Sequence, residues 1–336
     1  MPDTVDPGRS VPSPLVTVIL PAKDAGPYIA TTLETLTRQF PDAGALQLVA
    51  IDDGSSDGTG AIMRRYAERL PRAEVLVNSE PRGLATARNQ GLTRVEGDAF
   101  CFVDGDDWMQ AGRLAVLRRR LDDLGVDFVR TDHVTVRDGR RSLVRAPYPW
   151  RERSASPREA ILPDDETTMV DYPFAWAGLF HRRVLDAGLA AFPEGLFTAE
   201  DRPWIWRLHL QAGSFAVVDA PALLYRRGVA TSLTQIRDRR QLDFARALTQ
   251  VIDLVESDPE AERFLPKAVR TALALSAHHL VRSRRMTPAL RAEMRASVTA
   301  LLGRLPRGDV SAALGNLSGP RRRVLARSLR QSGHGA

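Results

Sequence analysis

The chain has 336 residues, 43% hydrophobic and 26% charged, which is enough to bury a substantial core in one large domain or in a domain with an appendage. Its formal charge of +6 is almost wholly arginine, because Lys23 and Lys267 are the only lysines; without an RNA-binding aromatic signature or zinc-finger spacing, this balance points to phosphate or anionic membrane rather than nucleic acid. A single cysteine, Cys101, excludes a disulfide within the chain.

Residues 1–14 are proline-rich, carry Asp3 and Asp6, and lack the basic start and apolar core of a secretory signal. They read as a disordered tail. No uninterrupted apolar run approaches the roughly 18 residues that span a bilayer, so a cytosolic protein, or one attached peripherally to a membrane, is expected.

From residue 15 the apolar run Leu15-Val16-Thr17-Val18-Ile19-Leu20 predicts a strand ended by Pro21, and Ile29, Leu33 and Leu36 then recur at helical spacing. The alternation continues with a strand over 46–51, a helix over 59–70, a strand over 74–77, a helix over 84–93 and a strand over 99–103 that contains Cys101. Alternating strands and helices imply an α/β fold with a mostly parallel, Rossmann-like sheet, helices covering both faces and ligands bound beyond the carboxyl ends of the strands. Residues 127–143 read as a strand and a polar turn around Arg137-Asp138-Gly139-Arg140, and 147–163, with its prolines and charges, as a mobile loop. Ordered elements are expected again over 174–185, 204–211 and 215–218.

After about residue 236 the pattern turns wholly helical. Phe244, Leu248, Val251, Ile252 and Val255 mark one helix; Val269, Leu273, Ser276 and Leu280 a second; Leu290, Met294, Val298, Leu301 and Leu305 a third. The expected division is therefore a tail over 1–14, an α/β domain over 15–235 and a helical region over 236–336 that ends in a basic tail around Arg321 to Arg330, suited to anionic lipid or simply solvated.

Acidic residues gather at two strand ends, Asp52-Asp53 and Asp104-Gly105-Asp106-Asp107. Carboxylates packed into one turn, with glycine relieving crowding, suit Mg2+ or Mn2+ with water and phosphate completing the shell, although taken alone such a cluster equally starts a helix before Arg113. Asp52-Asp53-Gly54-Ser55 can accept from a base or ribose hydroxyl. Between the two lie Gly83, at a predicted helix start, and Arg88 one turn in, both suited to phosphate, although Arg88 can equally pair with a surface acid. Downstream, Glu200-Asp201 precede Trp204 and Trp206. A carboxylate there can be a general base and the indoles can stack on sugar, or the acids can start a helix and the indoles fill a core.

In order and spacing these motifs resemble glycosyltransferase family 2, the inverting enzymes with a GT-A fold, over residues 16–233. Val18-Ile19-Leu20-Pro21-Ala22 is similar to the family's opening strand, Asp52-Asp53-Gly54-Ser55 to its nucleoside site and Gly83-Leu84-Ala85 with Arg88-Asn89 to its middle motif. Phe102-Val103-Asp104-Gly105-Asp106-Asp107-Trp108 resembles its metal motif, Glu200-Asp201 its acid pair, and Tyr225-Arg226-Arg227 with Thr231-Ser232-Leu233 its closing segment. The chain departs from the family at Lys23-Asp24, where Tyr-Asn is common.

The resemblance implies a nucleotide-diphosphate sugar donor held by Pro21, Ala22, Asp52, Asp53, Gly83, Arg88, Asp104 and Asp106. It further implies a divalent ion on Asp104 and Asp106 with help from Asp107, and catalysis by Asp201 beside Glu200. The acceptor would be a saccharide, a lipid-linked or a small-molecule hydroxyl compound in cell-surface polysaccharide or glycoconjugate synthesis, with Trp176, Trp204 and Trp206 on its side. Two alternatives share fewer features: a non-catalytic nucleotide-binding module of the same fold, and a haloacid-dehalogenase-like phosphatase, matched only at Asp104 and Asp106.

Overall fold

The computed structural model describes residues 15–228 and 238–334; the expected tail over 1–14 and the motif Thr231-Ser232-Leu233 lie outside the described residues. In chain order the first half runs β1 (Val16–Ala22), α1 (Gly26–Leu36), β2 (Leu46–Asp53), α2 (Thr59–Ala67), β3 (Ala73–Asn78), α3 (Leu84–Leu92), β4 (Ala99–Phe102), β5 (Trp108–Met109), α4 (Arg113–Leu124) and β6 (Phe128–Arg130). It continues with β7 (His133–Arg137), β8 (Arg140–Val144), β9 (Gly178–His181), α5 (Arg182–Asp186), α6 (Asp201–Gln211), β10 (Phe215–Val217) and β11 (Leu223–Arg226). Helices alone follow: α7 (Asp243–Glu256), α8 (Ala261–Ser283), α9 (Pro288–Gly303), α10 (Arg307–Asn316) and α11 (Gly319–Gln331).

The main sheet has the order β10-β6-β9-β4-β1-β2-β3. Every residue of β1 and β2 is buried, as continuous apolar strands covered on both faces require. All neighbours pair in parallel except β9, which runs against both β4 and β6. Ala22 pairs with Asp52, and Ile19 with Phe102, so the carboxyl ends of β1, β2 and β4 finish side by side. The acids after β2 and β4 are thereby brought to one edge.

A second sheet, β5-β11-β7-β8, was not foreseen. The stretch 127–143, expected as one strand and a turn, breaks at Thr131 and Asp132: β6 joins the main sheet, while β7 and β8 form a hairpin whose turn residues Asp138 and Gly139 have φ of 48° and 75°. This small sheet carries Tyr225 and Arg226 to the mouth of the strand ends.

The proline-rich stretch 147–163 is fastened rather than loose, correcting the expected mobile loop. Ala155 and Phe215 exchange two backbone hydrogen bonds at 2.9 Å. Arg158 donates to both oxygens of Asp258, at 2.9 and 2.7 Å, and to the carbonyl of Leu210 at 2.8 Å. Proline removes backbone donors, but side-chain anchors replace them.

In the helical region α7, α8 and α9 realise the three predicted apolar stripes. The weakly amphipathic α10 escaped the sequence pattern. The basic segment is a helix, not a tail: α11 buries Leu325, Ser328 and Leu329 while Arg321, Arg322, Arg323, Arg327 and Arg330 stay exposed. No helix among the described residues is long and apolar enough to cross a membrane. Lys267 of α8, its side chain fully buried, donates to Asp171 at 2.6 Å and to the Glu166 carbonyl at 2.5 Å, tying the helices to the sheet-bearing half.

Candidate active site

Where β1, β2 and β4 end, a cavity of about 850 Å³ opens and reaches across to α7 and α8. Its floor is set by a close approach. A Cβ on Gly105 would stand 2.6 Å from the Ala22 Cβ, so only glycine lets the acidic loop after β4 lie against the end of β1. Pro21, Ala22, Asp104 and Asp106 line the cavity together.

The two acids after β2 separate. Asp52 accepts from the Ser55 amide at 3.1 Å, with its other oxygen against Gly60 of α2; it closes its own loop and is not among the lining residues, a correction to its expected place in the donor site. Asp53 does line the cavity, and it accepts from Asn78 Nδ2 and Arg82 N at 2.8 Å each and from Gly83 N at 2.9 Å. These bonds fix Gly83, whose φ of +92° suits only glycine, at the start of α3. The unusual Lys23-Asp24 pair has a local role, because Asp24 accepts from the Ser56 amide at 2.8 Å and pins the loop after β2 to that after β1.

Arg88 joins the halves of the site. Only 3% exposed on α3, it donates to Asp104 Oδ1 at 3.0 Å and to Glu200 Oε1 at 3.1 Å, with its guanidinium 5.0 Å from the Phe192 ring centroid. Burial works against its charge, yet the charges of Asp104 and Glu200 hold its pKa above the ordinary value. The alternative of a surface pairing is excluded, because the partners are the two acidic motifs themselves.

Burial, and then the Asp104 charge, pushes the Asp106 carboxyl up to about 6. Asp107 points elsewhere. Fully buried, it accepts from the Arg226 amide at 2.8 Å and is pushed well up by burial and by the Asp106 and Asp104 charges; it fastens β11 and is absent from the lining, which corrects its expected help with a metal. Arg226 also donates to the Asp106 carbonyl at 3.0 Å, and its guanidinium lies between the rings of Tyr28 and Trp108, 4.8 and 4.5 Å from their centroids.

At the start of α6, Glu200 is committed to Arg88, whereas Asp201 has no ion-pair partner among the described residues and lines the cavity. Burial raises the pKa of both carboxyls, with the Asp201 charge adding to the rise at Glu200 and the Asp104 charge adding to it at Asp201. Among the described residues no three acidic, histidine or cysteine side chains form a metal cage. Asp104 and Asp106 both line the cavity, just past the end of β4.

The three tryptophans divide as well. Trp176 lines the cavity with Phe174 and Tyr225. Trp204 and Trp206, 1% and 0% exposed, are core, Trp204 stacking on Phe192 at 5.1 Å, so neither indole faces an acceptor. The i, i+2 spacing in a helix wrapped by sheet and helices buries both rings. Sequence reading missed the lining residues Phe197, in the loop before α6, and Phe244, His278, His279 and Arg282, which belong to no motif and reach the site through packing of α7 and α8.

Residues 17–186, about half of the chain, match the family model for Glycosyl transferase family 2. The chain belongs to glycosyltransferase family 2. This bears out the resemblance read from the motifs and sets aside the phosphatase alternative. This family 2 chain is 27% identical over 232 residues to the uncharacterized glycosyltransferase EpsJ of Bacillus subtilis, covering 68% of this chain and 66% of EpsJ, just under two thirds of that relative's length. Its fold matches TarS residues 1–349 of Staphylococcus aureus, solved with UDP-GlcNAc, at a TM-score of 0.74 and 19% identity over 94% of this chain and 91% of that one. A mannosyltransferase of Pyrobaculum calidifontis, solved with GDP-Man and Mn2+, matches at 0.51 and 20% identity over 95% and 80% of the chains. These likenesses show a GT-A fold, and the match to TarS covers the helical region as well.

Proposed function

We propose that the protein transfers a sugar from a nucleoside diphosphate donor to an acceptor hydroxyl, inverting the anomeric carbon, in the synthesis of a surface polysaccharide or glycoconjugate. The observation that carries this reading is the buried Arg88, which joins Asp104 at the end of β4 to Glu200 at the start of α6 and leaves Asp201 unpaired on the cavity wall. The base and ribose lie against Pro21, Ala22 and Asp53, with the diphosphate toward Asp104, Asp106 and Arg226. UDP-GlcNAc bound to TarS makes UDP-sugars the first donors to try.

Asp201 takes the proton of the acceptor hydroxyl, the oxygen attacks the anomeric carbon, and the bond from that carbon to the diphosphate oxygen breaks on the opposite face. The products are a glycoside, a nucleoside diphosphate and a protonated Asp201. Burial has raised the Asp201 pKa, which makes its carboxylate a stronger base than an exposed aspartate.

Asp104 keeps one oxygen free of Arg88, and Asp106 has no side-chain ion pair among the described residues, so this pair fits Mg2+ or Mn2+, ions that take few carboxylates and complete their shell with water and phosphate. When bound, such an ion neutralises charge on the departing diphosphate. Carried with this reading are the division near residue 235 and a peripheral contact of the five exposed arginines of α11 with anionic lipid, which co-sedimentation with phosphatidylglycerol vesicles checks.

The deciding experiment is Asp201→Asn. Transfer is expected to fall by about 10²–10⁴-fold with donor affinity unchanged. Near-native transfer at the same donor affinity would remove Asp201 as the base, and a wild type that binds donor without turning it over would favour the non-catalytic module.

A further inference from the structure

A second, smaller cavity of about 230 Å³ lies on the proline-rich stretch that proved to be fastened. Pro147, Pro149 and Pro163 stand in its wall, and proline fixes φ, so the backbone there is stiff. The frame is also anchored from outside. Arg263 donates to both oxygens of Glu159 at 2.7 and 2.6 Å, and the Tyr148 ring centroid lies 4.9 Å from that of Phe215 on β10. A pocket shaped in advance binds without first having to order its own walls.

Trp150 lines this cavity and, at 53% exposed, is the only tryptophan among the described residues with an exposed ring. The Tyr148 hydroxyl, Trp150 Nε1, the Glu166 carboxylate and the Thr167 hydroxyl, all on the lining, have no hydrogen-bond partner among the described residues. No arginine, lysine or histidine among the described residues lines the cavity, which argues against an anion. Against a cation, Glu159 is neutralised by Arg263, and the Arg153 guanidinium already covers one face of Trp150, 4.1 Å from the ring centroid. The ligand that fits is neutral, with an apolar face for the indole and hydroxyls for the polar groups around it, and a hexopyranose has both.

The cavity is smaller than the roughly 300–1,000 Å³ of a pocket that encloses a whole ligand, so it suits one or two residues of a chain that runs on across the surface. Its neighbour in that direction is the large cavity. Thr168 lines the small cavity and Asp171 the large one, and a single turn of 3₁₀ helix, Met169–Asp171, joins them. Phe174 and Trp176 continue the same segment along the wall of the large cavity. The link is rigid, because the Thr168 amide donates to Asp171 at 3.0 Å and Lys267 holds the same carboxylate.

We infer that the small cavity is a second saccharide site, which holds a neutral hexopyranose residue of an oligosaccharide and so anchors an acceptor away from its reacting end. The anchoring role rests on the transferase reading, whereas saccharide binding at Trp150 does not.

Calorimetry on the full chain tests this with maltohexaose, cellohexaose and chitohexaose, with the matching disaccharides, and with choline as a cationic control. At least one hexasaccharide is expected to bind with little dependence on salt, about ten-fold tighter than its disaccharide because it reaches both cavities. Its affinity is expected to fall about ten-fold in Trp150→Ala and in Glu166→Gln, with nucleotide-sugar binding unchanged in both. Neither substitution threatens the fold, since Trp150 is exposed and Lys267 and Arg270 hold the Glu166 carbonyl, not its side chain. Failure of all three hexasaccharides to bind, binding indifferent to both substitutions, or tighter binding of choline overturns the inference, and a disaccharide that binds as tightly as its hexasaccharide overturns the anchoring role. Nucleotide-sugar binding in the same preparation keeps the two readings apart: donor binding with flat saccharide arms defeats only this inference, and absent donor binding defeats the transferase reading.

Discussion

The two walls of the cavity are built on opposite principles. Among the described residues every carboxylate that lines it comes from the sheet-bearing half, most of them at the ends of strands and the start of α6, while the helical wall contributes basic and apolar side chains and the amide of Gln241. On the sheet side position follows from backbone register: Ala22 beside Asp52 and Ile19 beside Phe102 bring distant motifs together before any side chain packs. On the helical side position follows from packing alone. Chemistry held by a sheet edge is therefore written in short motifs, and recognition held by helix faces is not.

Three changes break or sharpen that contrast. The largest effect is expected from Arg88→Met, which leaves Asp104 and Glu200 as uncompensated partly buried acids. Removing one partner of a buried ion pair costs about 3–5 kcal/mol, read by urea denaturation, and misplacement of Glu200-Asp201 is expected to cost about 100-fold in turnover. A variant as stable and active as wild type would show that the acid wall does not depend on its central cation.

Next, Asp106→Ala is expected to abolish the manganese-dependent part of nucleotide-sugar binding in calorimetry. Unchanged manganese-dependent binding would sink the metal assignment.

The smallest effect is on pH dependence. The fold raises the Asp201 pKa above 3.8, and the base works only when ionised, so kcat/KM is expected to rise with pH through that raised value and level off above it. The acid limb should shift in Asp201→Glu, and an unmoved limb would assign the titration to another group.

Much of the sheet side was legible. The alternation of apolar runs and helical spacing placed β1 to β4 and α1 to α3 to within a few residues, because continuous burial leaves little room for polar interruptions. The reversed strand β9 was hidden within an ordinary apolar stretch, since direction depends on the sheet partner and not on the strand's own residues. The second sheet was hidden for a related reason, its strands being short and half exposed.

Among site residues, Asp53, Arg88, Asp104, Asp106 and Asp201 meet at one cavity, as their place in ordered motifs suggested. Asp52 and Asp107 look equally acidic in sequence, yet each turns to a backbone amide of its own fold, and Trp204 and Trp206 turn inward because α6 is covered on all sides. Side-chain direction at a loop is decided by which amides lie within reach. His278, His279 and Arg282 had no sequence signal beyond the spacing of α8 itself.

The central claim is that the acid wall performs sugar transfer, and it is tested most directly by nucleoside diphosphate release from a panel of UDP-, GDP-, CDP- and dTDP-sugars with manganese, comparing the wild type with Asp201→Asn. The account predicts that at least one donor binds both proteins equally and that only the wild type releases its nucleoside diphosphate at an appreciable rate. Binding without release by the wild type, or equal release by both, would contradict it.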